Sequence, residues 1–181
     1  LKTAKVGGEG GWDYICADVA GVDCTFRAGE TPGPPAVETR LTIFNLDTLE
    51  PVGEIAGIAG NGTAVDPKSG HGFTSSKPVS MFETKTRALI KTIDVGPAQP
   101  DGIYFDAFND RVYVFSHPTR DATVIDPKSG TVLGTIDLGG TLEGVADGNG
   151  MLYVVMQDTP GSITAVDVKT MKAVAHCPPG R

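Results

Sequence analysis

The sequence predicts an all-β chain built as a β-propeller, and three observations predict it. A four-strand pattern recurs about every 40 residues, turns of fixed chemistry separate the strands, and helical periodicity is essentially absent. The first observation is anchored by segments of the form apolar-(Asp/Asn/Glu)-x-x-(Ser/Thr). They are Phe44–Thr48, Phe82–Thr86, Ile125–Ser129 and Val166–Thr170. Their polar anchors Asn45, Glu83, Asp126 and Asp167 lie 38, 43 and 41 residues apart. Ten residues after each anchor stand Ile55, Ile93, Ile136 and Cys177. Two strand exits almost coincide, Lys91-Thr-Ile-Asp-Val-Gly96 and Gly134-Thr-Ile-Asp-Leu-Gly139.

Each period also holds a pair of short strands around a tight turn. In order these are Tyr14–Ala17 with Asp23–Phe26, Thr63–Asp66 with His71–Thr74, Ile103–Asp106 with Arg111–Phe115, and Val145–Asp147 with Met151–Val155. The intervening Asp-Pro-Lys-Ser-Gly and Gly-Asn-Gly segments set the turns, because Pro fixes φ and Gly supplies a positive φ. Four antiparallel strands per repeat of 40–45 residues is the grammar of a propeller blade. The blades fall at 13–56, 61–96, 101–139 and 143–178. A two-sheet sandwich leaves the recurrence of one four-strand pattern unexplained. The first blade carries an insertion between Phe26 and Leu41, whose Pro and Gly density marks an extended loop.

One strand is left over. Leu1–Gly7 matches the outermost strand of a blade, as in Leu89–Gly96, and such a strand closes a ring by completing its last blade. The expectation is therefore a part of a larger propeller of about seven blades, with a four-bladed ring and a pair of mutually completing chains as alternatives. The chain begins with Leu1 and contains no signal-peptide pattern.

Composition narrows the function classes. With 24 Gly and 13 Pro but no G-X-Y period, a collagen helix is excluded. A hydrophobic fraction of 40% suffices for a packed core, and no apolar run approaches the ~20 residues of a membrane-spanning helix. The net charge of −7 lacks the basic balance of a nucleic-acid binder. Three cysteines, Cys16, Cys24 and Cys177, form neither a disulfide framework nor a CxxC pair. The first hairpin sets Ala17 opposite Cys24 and turns Cys16 to the other face, so the cysteines read as small buried hydrophobes. No P-loop, GxSxG, HExxH or dinucleotide fingerprint is present.

Aligning the blades puts Asp13, Asn61, Asp101 and Glu143 at the start of each innermost strand, where they converge on one mouth of a central channel. Oxygen ligands of this kind suit Ca²⁺, which takes six to eight of them, and channel calcium supports hydrolysis in lactonase-type propellers. Equally, Asp or Asn beside Gly at a strand start is turn chemistry. His117, in the loop His117-Pro-Thr-Arg-Asp121, lies on the same mouth and is a candidate general base oriented by Asp121. Trp12 either stacks on a ligand or plugs the first blade. Arg27, Lys77 and Arg120 bring positive charge to these loops. Tyr104, Phe105, Tyr113 and Phe115 read as core packed between blades.

The strand Arg111–Phe115, its counterpart Leu152–Val155, the Val-Ile-Asp-Pro-Lys-Ser-Gly run at 124–130, Pro100–Ile103 and the two Thr-Ile-Asp-(Val/Leu)-Gly exits resemble the YVTN-repeat β-propeller family. Gly10-Gly-Trp-Asp-Tyr14 is similar to the start of that family's first blade. The resemblance implies an exported bacterial protein, periplasmic or surface-associated, without a known enzyme activity. Single-stranded DNA binding, reported for some members, is a weaker implication. Blade 2 departs from the pattern, with Gly72-Phe73-Thr74 in place of Val-Tyr-Val. The functional expectation is a non-catalytic scaffold that binds a small ligand or a protein partner at the channel mouth. A calcium-dependent, lactonase-like hydrolase is the alternative.

Overall fold

Strand identity follows from what covers each strand. Segments enclosed on both faces read as continuous apolar runs, and segments with one face to water alternate. In the computed structural model, which describes residues 3, 14–19, 21, 23–27, 39–158 and 160–178, this produces four antiparallel sheets of four strands. The first sheet holds β1 (Ile15–Asp18), β2 (Asp23–Arg27), β3 (Arg40–Asn45) and β4 (Pro51–Ala56). The second holds β5 (Thr63–Asp66), β6 (His71–Thr74), β7 (Val79–Glu83) and β8 (Leu89–Ile93). The third holds β9 (Pro100–Asp106), β10 (Arg111–Ser116), β11 (Asp121–Asp126) and β12 (Thr131–Asp137). The fourth holds β13 (Leu142–Gly148), β14 (Met151–Met156), β15 (Ser162–Asp167) and β16 (Lys172–Cys177). Strand order within each sheet is sequence order, so each is a meander of the kind the repeat predicts. Ala17 pairs with Cys24, as the hairpin register requires. Trp12, Asp13 and most of the expected N-terminal outer strand lie outside the described residues. No helix among the described residues is long and apolar enough to cross a membrane.

The chain divides into two compact units, Leu1–Asp94 and Val95–Arg181, with two sheets in each. In the first unit Leu41, Ile43, Ile55 and Ile58 of the first sheet and its exit pack with Phe82 of β7. Beside them the Arg87 guanidinium donates to the carbonyl of Val52. In the second unit the third sheet and its exit contribute Tyr113, Phe115, Ala122, Val124, Ile136 and Leu138. The fourth sheet answers with Leu142, Leu152, Val154, Met156, Val166 and Val168. The two cores repeat position for position: Leu41, Ile43 and Ile55 match Ala122, Val124 and Ile136, and Phe82 matches Val166. One sheet's face receives the opposite face of the next. Tyr104 packs against the second core and donates its hydroxyl to Asp147 Oδ1 at 2.6 Å, while the Tyr113 hydroxyl accepts from Asn109 at 2.7 Å.

The repeat anchors are turn-closing acceptors. Asp126 Oδ1 takes the N–H groups of Lys128 and Ser129 at 3.1 and 2.9 Å. Asn45 does the same for Asp47 and Thr48, and Asp167 for Lys169 and Thr170. A register shift follows in all four sheets at the same place, between the third and outer strands: Ile43/Phe44, Met81/Phe82, Val124/Ile125 and Ala165/Val166. Such bulges increase local twist. The positions ten residues past the anchors are buried at Ile55, Ile93 and Ile136 but exposed at Cys177. The expectation of buried cysteines therefore fails at Cys177, which lies opposite Ile163 on a face of the fourth sheet left open among the described residues.

Two predictions follow from burial. Leu152→Ala, at a position 1% exposed, should cost about 2–5 kcal/mol of unfolding free energy, whereas Leu133→Ala, on the exposed outer strand, should stay within roughly 0.5 kcal/mol. Denaturant unfolding of both variants checks the contrast. Asp106 is 1% exposed and its Oδ2 has no hydrogen-bond partner among the described residues. Burial raises its pKa, with the nearby Asp147 and Asp110 adding to the rise and the Phe108 N–H opposing it. A folded-state pKa above the unfolded one makes ionisation costly to the fold, fully so above the folded pKa. Asp106→Asn should therefore melt higher than the parent at neutral pH. The advantage should vanish as pH falls below the ordinary carboxylate range; a lower midpoint at pH 7 would refute this.

Candidate functional site

Antiparallel meanders put alternate connections at opposite ends of a sheet. At one end of the second unit lie the residues before β9, the β10–β11 loop 117–120, the β12–β13 connection 138–141 and the β14–β15 loop 157–161. This end carries the polar side chains that the sequence marked. The β10–β11 loop is fixed from below by buried Ser116, whose Oγ accepts from the Gln99 N–H at 3.0 Å. The Thr119 hydroxyl bridges Ser116 Oγ and Asp121 Oδ1, each at 2.7 Å. Arg120 closes the loop with φ of 56°, and its guanidinium is left exposed.

His117 is half-buried, with Nε2 at 3.2 Å from Asp101 Oδ2. Asp101 is thus its orienting carboxylate. The expected partner, Asp121, is not: its carboxylate is taken by Thr119 inside the same tight loop. Gln157 Nε2 approaches the same ring nitrogen at 3.5 Å and the Leu142 carbonyl at 3.4 Å, linking the third sheet to the fourth. Asp158 accepts both the N–H and the hydroxyl of Thr141. The Thr141 N–H above all holds its carboxyl below the usual range against the opposing effect of desolvation, and the Thr141 hydroxyl, Arg120 and His117 add to the lowering. Around Asp158 opens a cavity of about 280 Å³, lined also by Leu138, Met156, Ser162, Thr164 and His176. Thr164 is fully buried and its hydroxyl lies 2.8 Å from His176 Nδ1, which fixes that ring on the cavity wall.

The remaining expected site residues are placed as follows. Asn61 belongs to the first unit, where its carbonyl accepts from the Tyr14 N–H at 3.1 Å and its N–H donates to Ser75 at 3.4 Å. Glu143 is exposed on β13. Trp12 and Asp13 lie outside the described residues. Among the described residues no group of three or more His, Cys, Asp or Glu gathers to hold a metal, and the Asp101 carboxylate is engaged by His117. The arrangement offers hydrogen-bond donors, acceptors and charges of both signs beside a concave surface. Gln157, Asp158 and His176 escaped the sequence reading, although aligning the loop at 157–161 with the one at 117–120 brings the first two to the same mouth.

No family model matches the chain, and no curated protein matches it. Solved structures do. The hydrazine synthase of Kuenenia stuttgartiensis is similar at a TM-score of 0.69 and 19% identity, over 86% of this chain and 46% of that one. A nidogen/laminin complex is similar at a TM-score of 0.64 and 17% identity, over 91% of this chain and 62% of that one. The chain thus spans less than two thirds of either. Both contain a propeller, and at these identities the likeness concerns the fold alone. Together with the four repeated meanders, it makes this an all-β chain of the β-propeller class.

Proposed function

We propose that this chain is a propeller scaffold that binds a small ligand or a protein partner at the mouth formed by Asp101, His117, Arg120, Gln157 and Asp158. The observation that carries the reading is the convergence of polar side chains from three loops and a strand start at one end of the second unit, where Asp101 and Gln157 meet His117 and a cavity opens beside Asp158. Pockets with a few convergent polar groups are the default binding sites of rigid folds, and loops on such scaffolds carry function. Arg120 supports it further. A left-handed φ is costly for a long side chain, and the guanidinium makes no hydrogen bond among the described residues that explains its presence. Membership of the YVTN-repeat family, bacterial origin and export to the periplasm or cell surface belong to the same proposal. They rest on the strand and turn resemblance alone.

The test is an amide-resolved NMR titration with a panel of small carboxylic acids, amino acids and saccharides. Binders should shift residues 117–120, 138–141 and 157–162. Arg120→Gly should abolish or weaken that response while leaving the melting midpoint unchanged or higher, since Gly meets a positive φ without steric cost. A panel that shifts only other surfaces, or none, would reject the site. For the calcium-dependent hydrolase, we expect EDTA and excess calcium to leave the thermal midpoint unmoved. Resident calcium at a hundredfold excess over its dissociation constant would add about 2.7 kcal/mol.

A further inference from the structure

We propose that the cavity beside Asp158 holds a free α-amino acid with a small apolar side chain. Its ammonium would sit between Asp158 and His176, its side chain against Met156, and its carboxylate toward Arg120. This rests on the reading of that end of the second unit as a binding mouth, and it names the ligand class. The cavity walls are fixed by the chain itself. The Gly139 N–H donates to Asp137 Oδ1 at 2.9 Å, the Gln157 N–H to the Thr141 carbonyl at 2.9 Å, and the Gly161 N–H to the Asp158 carbonyl. Gly140 leaves room for the carboxylate, since a Cβ there would stand 2.5 Å from Asp158 Oδ2. Walls held in this way lower the cost of ordering a site when a ligand enters.

The lining selects the ligand. Among the described residues that line the cavity, Asp158 alone carries a fixed charge, and its carboxylate has lone pairs beyond those that Thr141 takes. His176 is the second polar group. Thr164 has a single hydroxyl proton, and the Leu138 carbonyl lies within its reach at 3.5 Å. With that proton given to Leu138, His176 donates its Nδ1–H to the Thr164 oxygen at 2.8 Å, and Nε2 is left as an acceptor. Both groups then ask for donors, and an ammonium supplies three. A purely anionic ligand finds no cation on this lining, and a sugar ring finds no Phe, Tyr or Trp to stack on. Leu138, Met156 and Pro160 supply apolar surface. The volume of about 280 Å³ sets the size, since a cavity of about 150 Å³ already admits benzene. The carboxylate end follows from Arg120. Its backbone carbonyl accepts from the Leu138 N–H at 3.0 Å, so the loop that carries it is tied to the cavity wall. The Thr141 N–H above all, and Arg120 with it, hold the Asp158 carboxyl below the usual range, so the guanidinium charge reaches that group. A carboxylate and a guanidinium within each other's field are the pair of charges that a zwitterion complements.

Calorimetric titration and amide-resolved NMR with three matched probes test the proposal. Valine carries the ammonium, the carboxylate and a small apolar body. Isovalerate lacks only the ammonium. Valinamide keeps the ammonium and neutralises the carboxylate, as the N-terminus of a peptide does. Valine should bind and shift residues 138–141, 156–162 and 176. Isovalerate and valinamide should each bind roughly tenfold or more weakly, the scale of one lost charge-assisted hydrogen bond. Asp158→Asn should weaken valine by a similar factor and leave isovalerate unchanged or tighter. Arg120→Gly should weaken valine and leave valinamide unchanged or tighter. Should Asp158→Asn unfold its loop, the three probes on the parent chain carry the test by themselves. Isovalerate binding as tightly as valine would overturn the proposal in favour of a plain carboxylate site. Valinamide binding as tightly would overturn it in favour of a peptide N-terminus. Saccharides or carboxylic acids that shift these residues where valine does not would overturn the amino-acid reading and leave the mouth a binding site. Silence at these residues from every probe would overturn both.

Discussion

No sheet of this protein is stable by itself; the two sheets of each unit depend on burying apolar faces against one another. A four-stranded meander has two faces and two open edges, and its thin layer of side chains becomes a core only when a second layer interlocks with it. The second unit shows the arrangement in full: Tyr113 and Phe115 on one side, Leu152, Val154 and Val166 on the other, all at or below 1% exposure. The first unit repeats it with Leu41, Ile43 and Phe82. Because the same positions recur in both, the interface is a property of the repeat rather than of either pair. That is why the exposure of Tyr153 is informative. It is the same residue at the same position as Tyr113, differing only in what lies above it.

Turn chemistry divides the two ends of the sheets. At one end the Asx-type acceptors Asn45, Asp126 and Asp167 are committed to their own backbone, and Asp66 does likewise for Lys68 and Ser69. These side-chain acceptors are repeated because the hairpins need them. Asp126 illustrates the consequence: the Ser129 N–H foremost holds its carboxyl below the usual range, so its contribution to stability is present at neutral pH and is lost as pH falls through the folded-state pKa. At the other end the loops differ from blade to blade in length and residues. Asp101, His117, Gln157 and Asp158 bond across loops and sheets rather than within one turn.

The fold was legible because its signals are local and repeated. Asp126 and its counterparts announce a turn, and Val112–Phe115 is continuously apolar, as a strand enclosed on both faces must be. The bulges before Phe44, Phe82, Ile125 and Val166 were not legible; only Gly53 and Gly134, beside two of them, hint at the backbone they need. The candidate site was half legible. Strand alignment brought Asp101 and His117 to one mouth, yet their pairing depends on a distance between β9 and the β10–β11 loop that no local pattern encodes. Sequence proximity favoured Asp121, whose carboxylate serves its own turn. Asp158 and His176 stand in segments where the repeat is least regular, so nothing periodic pointed to them.

Bulky residues with left-handed backbone show how the two ends differ in purpose. Leu49, Arg87 and Met171 all stand at φ near 60°, in the equivalent turn where the third sheet has Gly130. The latter two have a structural reason for their side chains. Arg87 reaches back to the Val52 carbonyl, and Met171 packs against the second core. Arg120 bears the same backbone cost at the other end, and its chain reaches solvent beside His117 and Asp158. A position that a glycine would satisfy more cheaply, occupied by a cation without a packing role, is where a scaffold's sequence departs from what its fold requires. On the proposed reading, this departure marks the surface that meets a ligand.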